Sequence, residues 1–497
     1  MRQPYQKRLI SQGAFSSKEW AEQVFSRTAG APISTGNEVT LLKDAAENYP
    51  AWLASMKTAR KWIHFESYII YDDVTGREFG ELLAAKAREG VKVRVVYDWL
   101  GGLGKTSRHF WQRLRDAGAE VRCFNPPRLD SPMGWISRDH RKMIGIDGKV
   151  AFVTGLCVGS MWTGNREKSI DPWRDTGIRV TGPVIADIEA AFSQVWSFTG
   201  EPLPGDELPD RESIPTAGNV SLRVVSSTPS TGGVYRLDLQ ITALARNSLW
   251  LTDAYYAGTS SYVQALRAAA IDGVDVRLLV PGSTDIPVVR ALSRAGYKPL
   301  LEAGVRVFEW NGSMVHAKTA VADGYWARVG STNLNIASWI GNYELDVVVE
   351  NEDFARKMEE MYLNDMENAT EIVLTKGYKK KLLGQHHSKS GHFGGHSRGS
   401  VGRVGASAIR IGNVVGAAIT NHRILGPAEL RFPFVGGIGL IVLALLCVLV
   451  PRWVTFPIAV ICGWLGFSLL IKTLRLYRMR HTGIDSDETR DGEIETR

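Results

Sequence analysis

His140-Arg-Lys142-Met-Ile-Gly-Ile-Asp147 and His316-Ala-Lys318-Thr-Ala-Val-Ala-Asp323 carry the same three side chains at the same offsets. With Lys and Asp each at about one residue in twenty, the chain's ten histidines give this pattern by chance roughly 0.03 times. Two copies therefore mark a duplication, and the residue types say what was duplicated. A phosphodiester is anionic and resists attack, so a site that cleaves it needs a nucleophile, cationic donors on the non-bridging oxygens and an acid for the leaving alkoxide. One imidazole attacks phosphorus and becomes a phosphohistidine while the other protonates the departing oxygen. Lys142 and Lys318 hold the phosphate. Asp147 and Asp323 complete the motif as candidate catalytic residues, against a plainer role, since an Asp-Gly pair makes a turn.

The repeat extends outward from these motifs. Gly36-Asn37 precedes a short strand-like segment at 39–42, and Gly218-Asn219 precedes another at 220–225. The runs 62–70 and 249–256 align Glu66 with Asp253 and Tyr68 with Tyr255, and helices are predicted after them at 78–89 and 262–271. Gly90-Val-Lys-Val-Arg-Val-Val96 matches Gly273-Val-Asp-Val-Arg-Leu-Leu279, two β-branched runs that read as buried parallel strands after a helix-ending glycine. Strand and helix alternate throughout, which is an α/β pattern in two tandem domains. The boundaries expected are an N-terminal extension at 1–35, a first domain at 36–200, a Pro/Gly/Asp/Glu-rich linker at 201–217 and a second domain at 218–370.

Each motif lies between a strand and a turn, so its side chains should emerge at a strand end, where α/β sheets place ligands. Past the second motif, Gly330-Ser-Thr-Asn-Leu-Asn335 offers hydroxyl and amide groups to phosphate oxygens, including Ser331, Asn333 and Asn335. The first copy has Thr154-Gly-Leu-Cys-Val-Gly159 there, with Cys157 in the place of Asn333, so the halves are chemically unequal. Cys157 reads as a small apolar filler without a paired base. Asp175 and Glu344 each precede a β run, where a carboxylate can orient the opposing or neighbouring imidazole. Glu66 is a further supporting candidate, and His64 and His109 read as structural.

The 497 residues, 44% hydrophobic, hold two or three domains without staples. Four cysteines at 123, 157, 447 and 462 have neither disulfide-framework nor zinc spacing. No metal ligand cluster is evident, and two lysines with polar donors suffice to neutralise a phosphate, so neither metal nor cofactor is expected. The net charge of +7 suits an anionic partner, nucleic acid or lipid.

The segments near the far end choose between these. Residues 432–450 and 454–471 are apolar runs, each about long enough to cross a bilayer core, separated by Pro451-Arg-Trp453. A transmembrane helical hairpin at 431–472 is the direct expectation. Arg410, Arg423 and Arg431 precede it and Lys472, Arg475, Arg478 and Arg480 follow, which puts both ends, and the tail at 473–497, on the cytoplasmic side. Residues 371–430 are a basic, low-complexity linker drawn to anionic headgroups. No cleavable signal peptide is expected, because residues 1–35 are polar.

These residues resemble the phospholipase D superfamily, whose mark is the doubled HxKxxxxD motif, and within it the bacterial cardiolipin synthases. The likeness covers about 36–350 and is sharpest at Phe65-Glu-Ser-Tyr68, Trp173-Arg-Asp-Thr176 and Gly330–Asn335. It implies two phospholipase D-like α/β sandwich domains sharing one active site, acting through a phosphohistidine without metal. By that resemblance His140 and His316 are the catalytic pair, with His140 the nucleophile, and Lys142, Lys318, Ser331 and Asn333 bind phosphate. The substrates implied are phospholipids, phosphatidylglycerol first, at a bacterial inner membrane, with no nucleic acid partner. The competing activities are a phospholipase D using water or a small alcohol, a nuclease of the same superfamily, and an inactive scaffold. Cardiolipin synthases often carry their membrane helices ahead of the catalytic halves, whereas the hairpin here follows them.

Overall fold

Short β-branched runs bounded by glycines become the centre of each half. The computed structural model describes residues 17–127, 136–165, 167 and 170–374, with scattered positions between 456 and 467. After a helix α1 (Ser17–Ala29), the first half runs β1 (Ser34–Lys43), α2 (Asp44–Lys57), β2 (Trp62–Ser67), α3 (Val74–Arg88), β3 (Lys92–Asp98), α4 (Trp99–Gly102), α5 (Arg108–Asp116), β4 (Glu120–Phe124), β5 (Lys142–Ile146), β6 (Val150–Thr154), α6 (Ser160–Thr163), β7 (Thr176–Thr181) and α7 (Ile185–Phe198). The second runs β8 (Val220–Ser227), α8 (Gly233–Leu244), β9 (Ser248–Thr252), α9 (Ser260–Ile271), β10 (Asp275–Pro281), α10 (Pro287–Glu302), β11 (Arg306–Trp310), β12 (Thr319–Ala322), β13 (Trp326–Gly330), β14 (Glu344–Glu350), α11 (Glu352–Glu367) and β15 (Ala369–Ile372).

Strand order repeats with the sequence. The first half reads β4-β3-β2-β5-β6-β7-β1 and the second β11-β10-β9-β12-β13-β14-β8, with β15 added outside β11. In each, the three strands separated by helices are parallel, and the four beyond them are antiparallel. Parallel strands need crossovers, and their aliphatic residues are buried while Lys92, Glu120 and Arg306 at their starts are exposed. The halves are not separate sheets: β1 pairs antiparallel with β8 and joins all fifteen strands.

Four apolar clusters hold this together, the smallest made of Leu279, Phe308 and Tyr362. One lies under α2, α3 and α5, one under α8, α9 and α10, and the third joins the halves, with α7 and α11 residues beside β6, β7, β13 and β14. The first two are outer layers belonging to single halves. The third makes the halves one body, because neither face is buried without the other half.

Two segments are more ordered than their composition predicts. Phe25 and Ala29 of α1 join the second half's cluster, so the described part of the extension, from residue 17, belongs to the fold. The linker forms one-turn 3-10 helices at Gly205–Glu207 and Arg211–Ser213, and Glu207 is buried against Arg94 of β3 at 2.7 Å. Among the described residues, 17–124 and 138–374 form one unit, and 125–127, 136–137 and the positions at 456–467 belong to another. Those described at 456–467 are helical, with Phe456, Val460 and Phe467 exposed. The hairpin expected at 431–472 otherwise lies outside the described residues, as does the basic linker from 375 on. Among the described residues no helix is long and apolar enough to cross a membrane.

Candidate active site

The backbone crosses between halves immediately before each motif histidine. His140 N–H donates to Tyr343 O at 2.9 Å and Tyr343 N–H to Arg138 O at 2.8 Å; in the other half His316 N–H donates to Arg174 O at 2.7 Å and Arg174 N–H to Met314 O at 2.8 Å. These short parallel bridges set each imidazole beside a carboxylate from the opposite half. His140 Nδ1 lies 3.0 Å from Glu344 Oε2, and His316 Nδ1 lies 2.7 Å from Asp175 Oδ2. Of the two geometries the sequence left open for Asp175 and Glu344, the opposing imidazole is the one found.

A carboxylate on Nδ1 assigns the ring proton to that nitrogen. Each Nε2 is then an unprotonated nitrogen, without a hydrogen bond among the described residues. Burial pushes the His140 imidazole below its ordinary pKa despite Glu344, and burial together with the Lys318 ammonium takes His316 down to about 4. Both carboxyls are buried, which alone raises a carboxyl pKa, yet they sit below the usual range because the imidazoles and lysines favour their charge.

Lys142 and Lys318 are buried at the start of β5 and just before β12, and each ammonium donates to the carbonyl of its own motif's histidine. Tyr68 and Tyr255 form matched walls. Their rings lie 5.1 Å from His140 and 5.9 Å from His316, and each faces its lysine at 5.4 and 6.0 Å. Burial and repulsion from Lys142 lower the Lys318 pKa, against the pull of Asp175. The two lysines thus share a single low-dielectric site.

The halves differ in what holds the carboxylates. Glu344 Oε2 also accepts the Ser331 hydroxyl at 2.6 Å, and Ser331 Oγ accepts Leu345 N–H at 2.9 Å. In the first half Gly155 stands in the place of Ser331, where an added Cβ would meet Asp175 Oδ1 at 2.3 Å, and Asp175 Oδ2 instead accepts Trp162 Nε1–H at 2.9 Å. The Ser331 expectation is therefore corrected: its hydroxyl is committed on both sides and positions Glu344 rather than meeting phosphate. Asn335 is likewise committed, donating to Tyr255 O at 3.0 Å and accepting Ser338 N–H at 3.0 Å. Asn333 keeps a free group, since its Oδ1 is buried without a hydrogen-bond partner among the described residues.

Asp147 and Asp323 also require correction as catalytic residues. They sit beyond the far ends of β5 and β12, where Asp147 accepts the N–H groups of Arg60, Lys61 and Trp62 at 2.7–2.9 Å and Asp323 those of Arg246, Asn247 and Ser248 at 2.7–2.9 Å. With Gly148 and Gly324 they form turns whose two central residues have positive φ, the backbone that Asp-Gly supplies. Each carboxylate anchors the entry to β2 or β9.

Two buried acids were missed. Asp139, just before His140, lies with Glu66 in a buried pair beside Arg141 and Lys142, and burial raises both carboxyls. Asp253, aligned with Glu66, accepts Tyr255 N–H at 2.9 Å and Leu334 N–H at 2.7 Å, so it ties the Tyr255 wall to the loop after β13. The Glu66–Asp253 alignment was the available signal. His64 stacks on Phe192 at 4.5 Å with Nδ1 2.6 Å from Glu189 and is a core residue, whereas His109 is exposed on α5. Cys157 is buried, and burial raises its thiol pKa.

The family described as "Cardiolipin synthase, PLD-like domain" matches residues 53–196 and 239–366. The chain is 34% identical over 345 residues to a cardiolipin synthase of Alkalihalophilus pseudofirmus, covering 69% of this chain and 68% of the relative. It is 33% identical over 364 residues to cardiolipin synthase A of Pseudomonas fluorescens, covering 71% and 74%. Among solved structures, phosphatidylserine synthase of Haemophilus influenzae aligns with a TM-score of 0.57 at 13% identity, over 79% of this chain and 99% of that one, a likeness of fold.

Proposed function

The chain belongs to the phospholipase D-like cardiolipin synthase family, and from that premise we propose that it transfers a phosphatidyl group from one phospholipid to the hydroxyl of phosphatidylglycerol, forming cardiolipin. The observation that carries the proposal is the crossed pair of imidazoles, each held at Nδ1 by a carboxylate of the other half, with both buried lysines acting on each ring.

His140 Nε2 attacks the donor phosphorus and forms the N–P bond as the P–O bond to the leaving alcohol breaks. The imidazolium of His316 gives its proton to that oxygen. Its pKa is depressed in the free protein, but an entering phosphodiester anion favours the protonated ring, so substrate itself arms the acid. The second step reverses the roles: His316 takes the proton of the acceptor hydroxyl, the oxygen attacks phosphorus and His140 is released. Lys142 and Lys318 neutralise the non-bridging oxygens in a buried site, where such charges act most strongly. The Asn333 amide nitrogen is the neutral donor that can meet the same phosphate, its Oδ1 being only an acceptor, and Glu344 and Asp175 keep the rings in the productive tautomer.

Incubating the protein with glycerol-labelled phosphatidylglycerol in mixed micelles tests this. Cardiolipin with released glycerol supports the transferase, and phosphatidic acid as the product supports the phospholipase D alternative. We also propose that the apolar runs at 431–472 form a cytoplasm-facing hairpin in a bacterial inner membrane. The reading rests on their length and flanking arginines, and on the exposed apolar helical residues at 456–467. Proteolysis of right-side-out vesicles checks the orientation: cleavage confined to the connection around Arg452 supports it, and cleavage at 375–430 contradicts it.

A further inference from the structure

The two ends of the sheet differ in chemistry. At the end away from the histidines, the turns carry Lys57, Arg60, Lys61, Lys149, Arg246 and Asp272, the ordinary charged character of a solvated surface. At the histidine end of the second half, the segments 228–233, 254–259, 282–287, 311–315 and 331–343 contain one charged residue, Asp285, in a chain that is 22% charged. These loops, and the first turns of α10 beside Arg290 and Arg294, expose large apolar side chains. Ile336 is 55% exposed, Val288 56%, and Ile286, Leu292 and Ile340 exceed 40%. Leu103, 55% exposed in the loop after α4, gives the first half's contribution at the same sheet end.

This rim is attached to the reacting groups. Asp285 accepts the Tyr255 hydroxyl at 2.8 Å, and Tyr255 packs against His316, so Ile286 is one residue from the wall of the site. Ile336 follows Asn335, which donates to Tyr255 O, and Ile340 O accepts Ser230 N–H at 2.8 Å, joining the loop after β8 to the same rim. Val288 and Leu292 are four residues apart on α10 and share one face. Arg290 lies between them in sequence and donates to Gly282 O at 3.1 Å; exposed apolar groups clustered at an active-site mouth with so few charges among them mark a surface that is not meant to face water.

We infer that this rim is a bilayer-docking surface by which the catalytic halves seat their active-site mouth on the phospholipid surface, independently of the segments beyond residue 374. The inference rests on the phosphatidyltransferase reading for its choice of occupant. A lipid whose acyl chains stay in the bilayer brings only its headgroup to the histidines, so the mouth has to meet the membrane. Charges on the rim would oppose that contact, and apolar side chains favour it.

The test uses the full chain reconstituted in phosphatidylglycerol/phosphatidylethanolamine vesicles containing phosphatidylglycerol with a photoactivatable group on an acyl chain. Labelled peptides should come from 286–292 and 336–340 and not from 268–275 or 323–326. In parallel, Val288→Gln/Leu292→Gln/Ile336→Gln should lower turnover of vesicle lipid by about tenfold or more. The same variant should keep turnover of a soluble short-chain phosphatidylglycerol within about twofold, as should Ile271→Gln at the opposite edge on both substrates. Equal loss on vesicle and soluble lipid, no loss on either, or label on the opposite edge overturns the docking surface. Photolabelling needs no turnover, so a protein that forms no cardiolipin but is labelled on the rim fails the transferase reading and keeps this one.

Discussion

Glu344 and Asp175 act through the imidazoles they hold, and the consequence is measurable. Replacing either by its amide, Glu344→Gln or Asp175→Asn, puts a donor opposite Nδ1 and favours the wrong tautomer, so kcat should fall by about 10²–10⁴-fold with the fold kept. A loss under tenfold in both variants would contradict the positioning role. The pH profile follows from the same burial. Burial holds the His140 imidazole below its ordinary pKa, so the nucleophile is neutral at pH 7 and kcat/KM should fall on the acid side as that ring becomes protonated. On the alkaline side the lowered Lys318 pKa means that its charge is lost earlier than for an ordinary lysine, and activity falls with it. Lys318→Arg should move the alkaline limb upward in pH, and an unmoved limb assigns it elsewhere. At this scale the histidines and lysines were legible because spacing alone identifies them. Ser331 was misassigned to phosphate, since the direction of a hydroxyl depends on the register of β13 against β14, which no local motif encodes. Asp139 was invisible for a related reason: only its burial beside Glu66, which raises its pKa, sets it apart from an ordinary aspartate.

Elements were legible wherever the chain repeats itself. The matched strand order of the halves follows from the duplicated runs. What escaped was structure stabilised by distant partners. Helix α1 depends on a cluster in the second half, the linker turns on the Glu207–Arg94 pair, and β15 on its edge pairing with β11. The Asp-Gly turns show how one motif residue serves an element rather than the chemistry. Removing three backbone hydrogen bonds from a carboxylate, as in Asp147→Ala or Asp323→Ala, should lower stability by about 2–4 kcal/mol. The folded fraction should keep kcat within about threefold. An unchanged melting temperature with kcat reduced more than about tenfold would return the aspartates to catalysis.

For the whole molecule, catalysis and anchoring should separate. The clusters that pack each half and the one that joins them draw on residues between 25 and 372, so a chain ending at Leu374 contains the whole body, β15 included. It should fold and act on micellar lipid. With the hairpin gone, its binding to vesicles should be weak and reversible. Vesicle binding and turnover as strong as those of the full chain at physiological salt would remove the anchoring role from 375–497. The central claim is that one site, built from both halves, passes a phosphatidyl group through a histidine. Mixing the protein with phosphatidyl-labelled donor and quenching by rapid denaturation during turnover tests it most directly. Label should be covalently attached to the peptide carrying His140, should be missing from the folded His140→Ala variant, and should disappear on addition of unlabelled phosphatidylglycerol as labelled cardiolipin forms. A protein that makes cardiolipin with no label on either motif histidine at any time point, or that retains its turnover in His140→Ala or His316→Ala, contradicts the account.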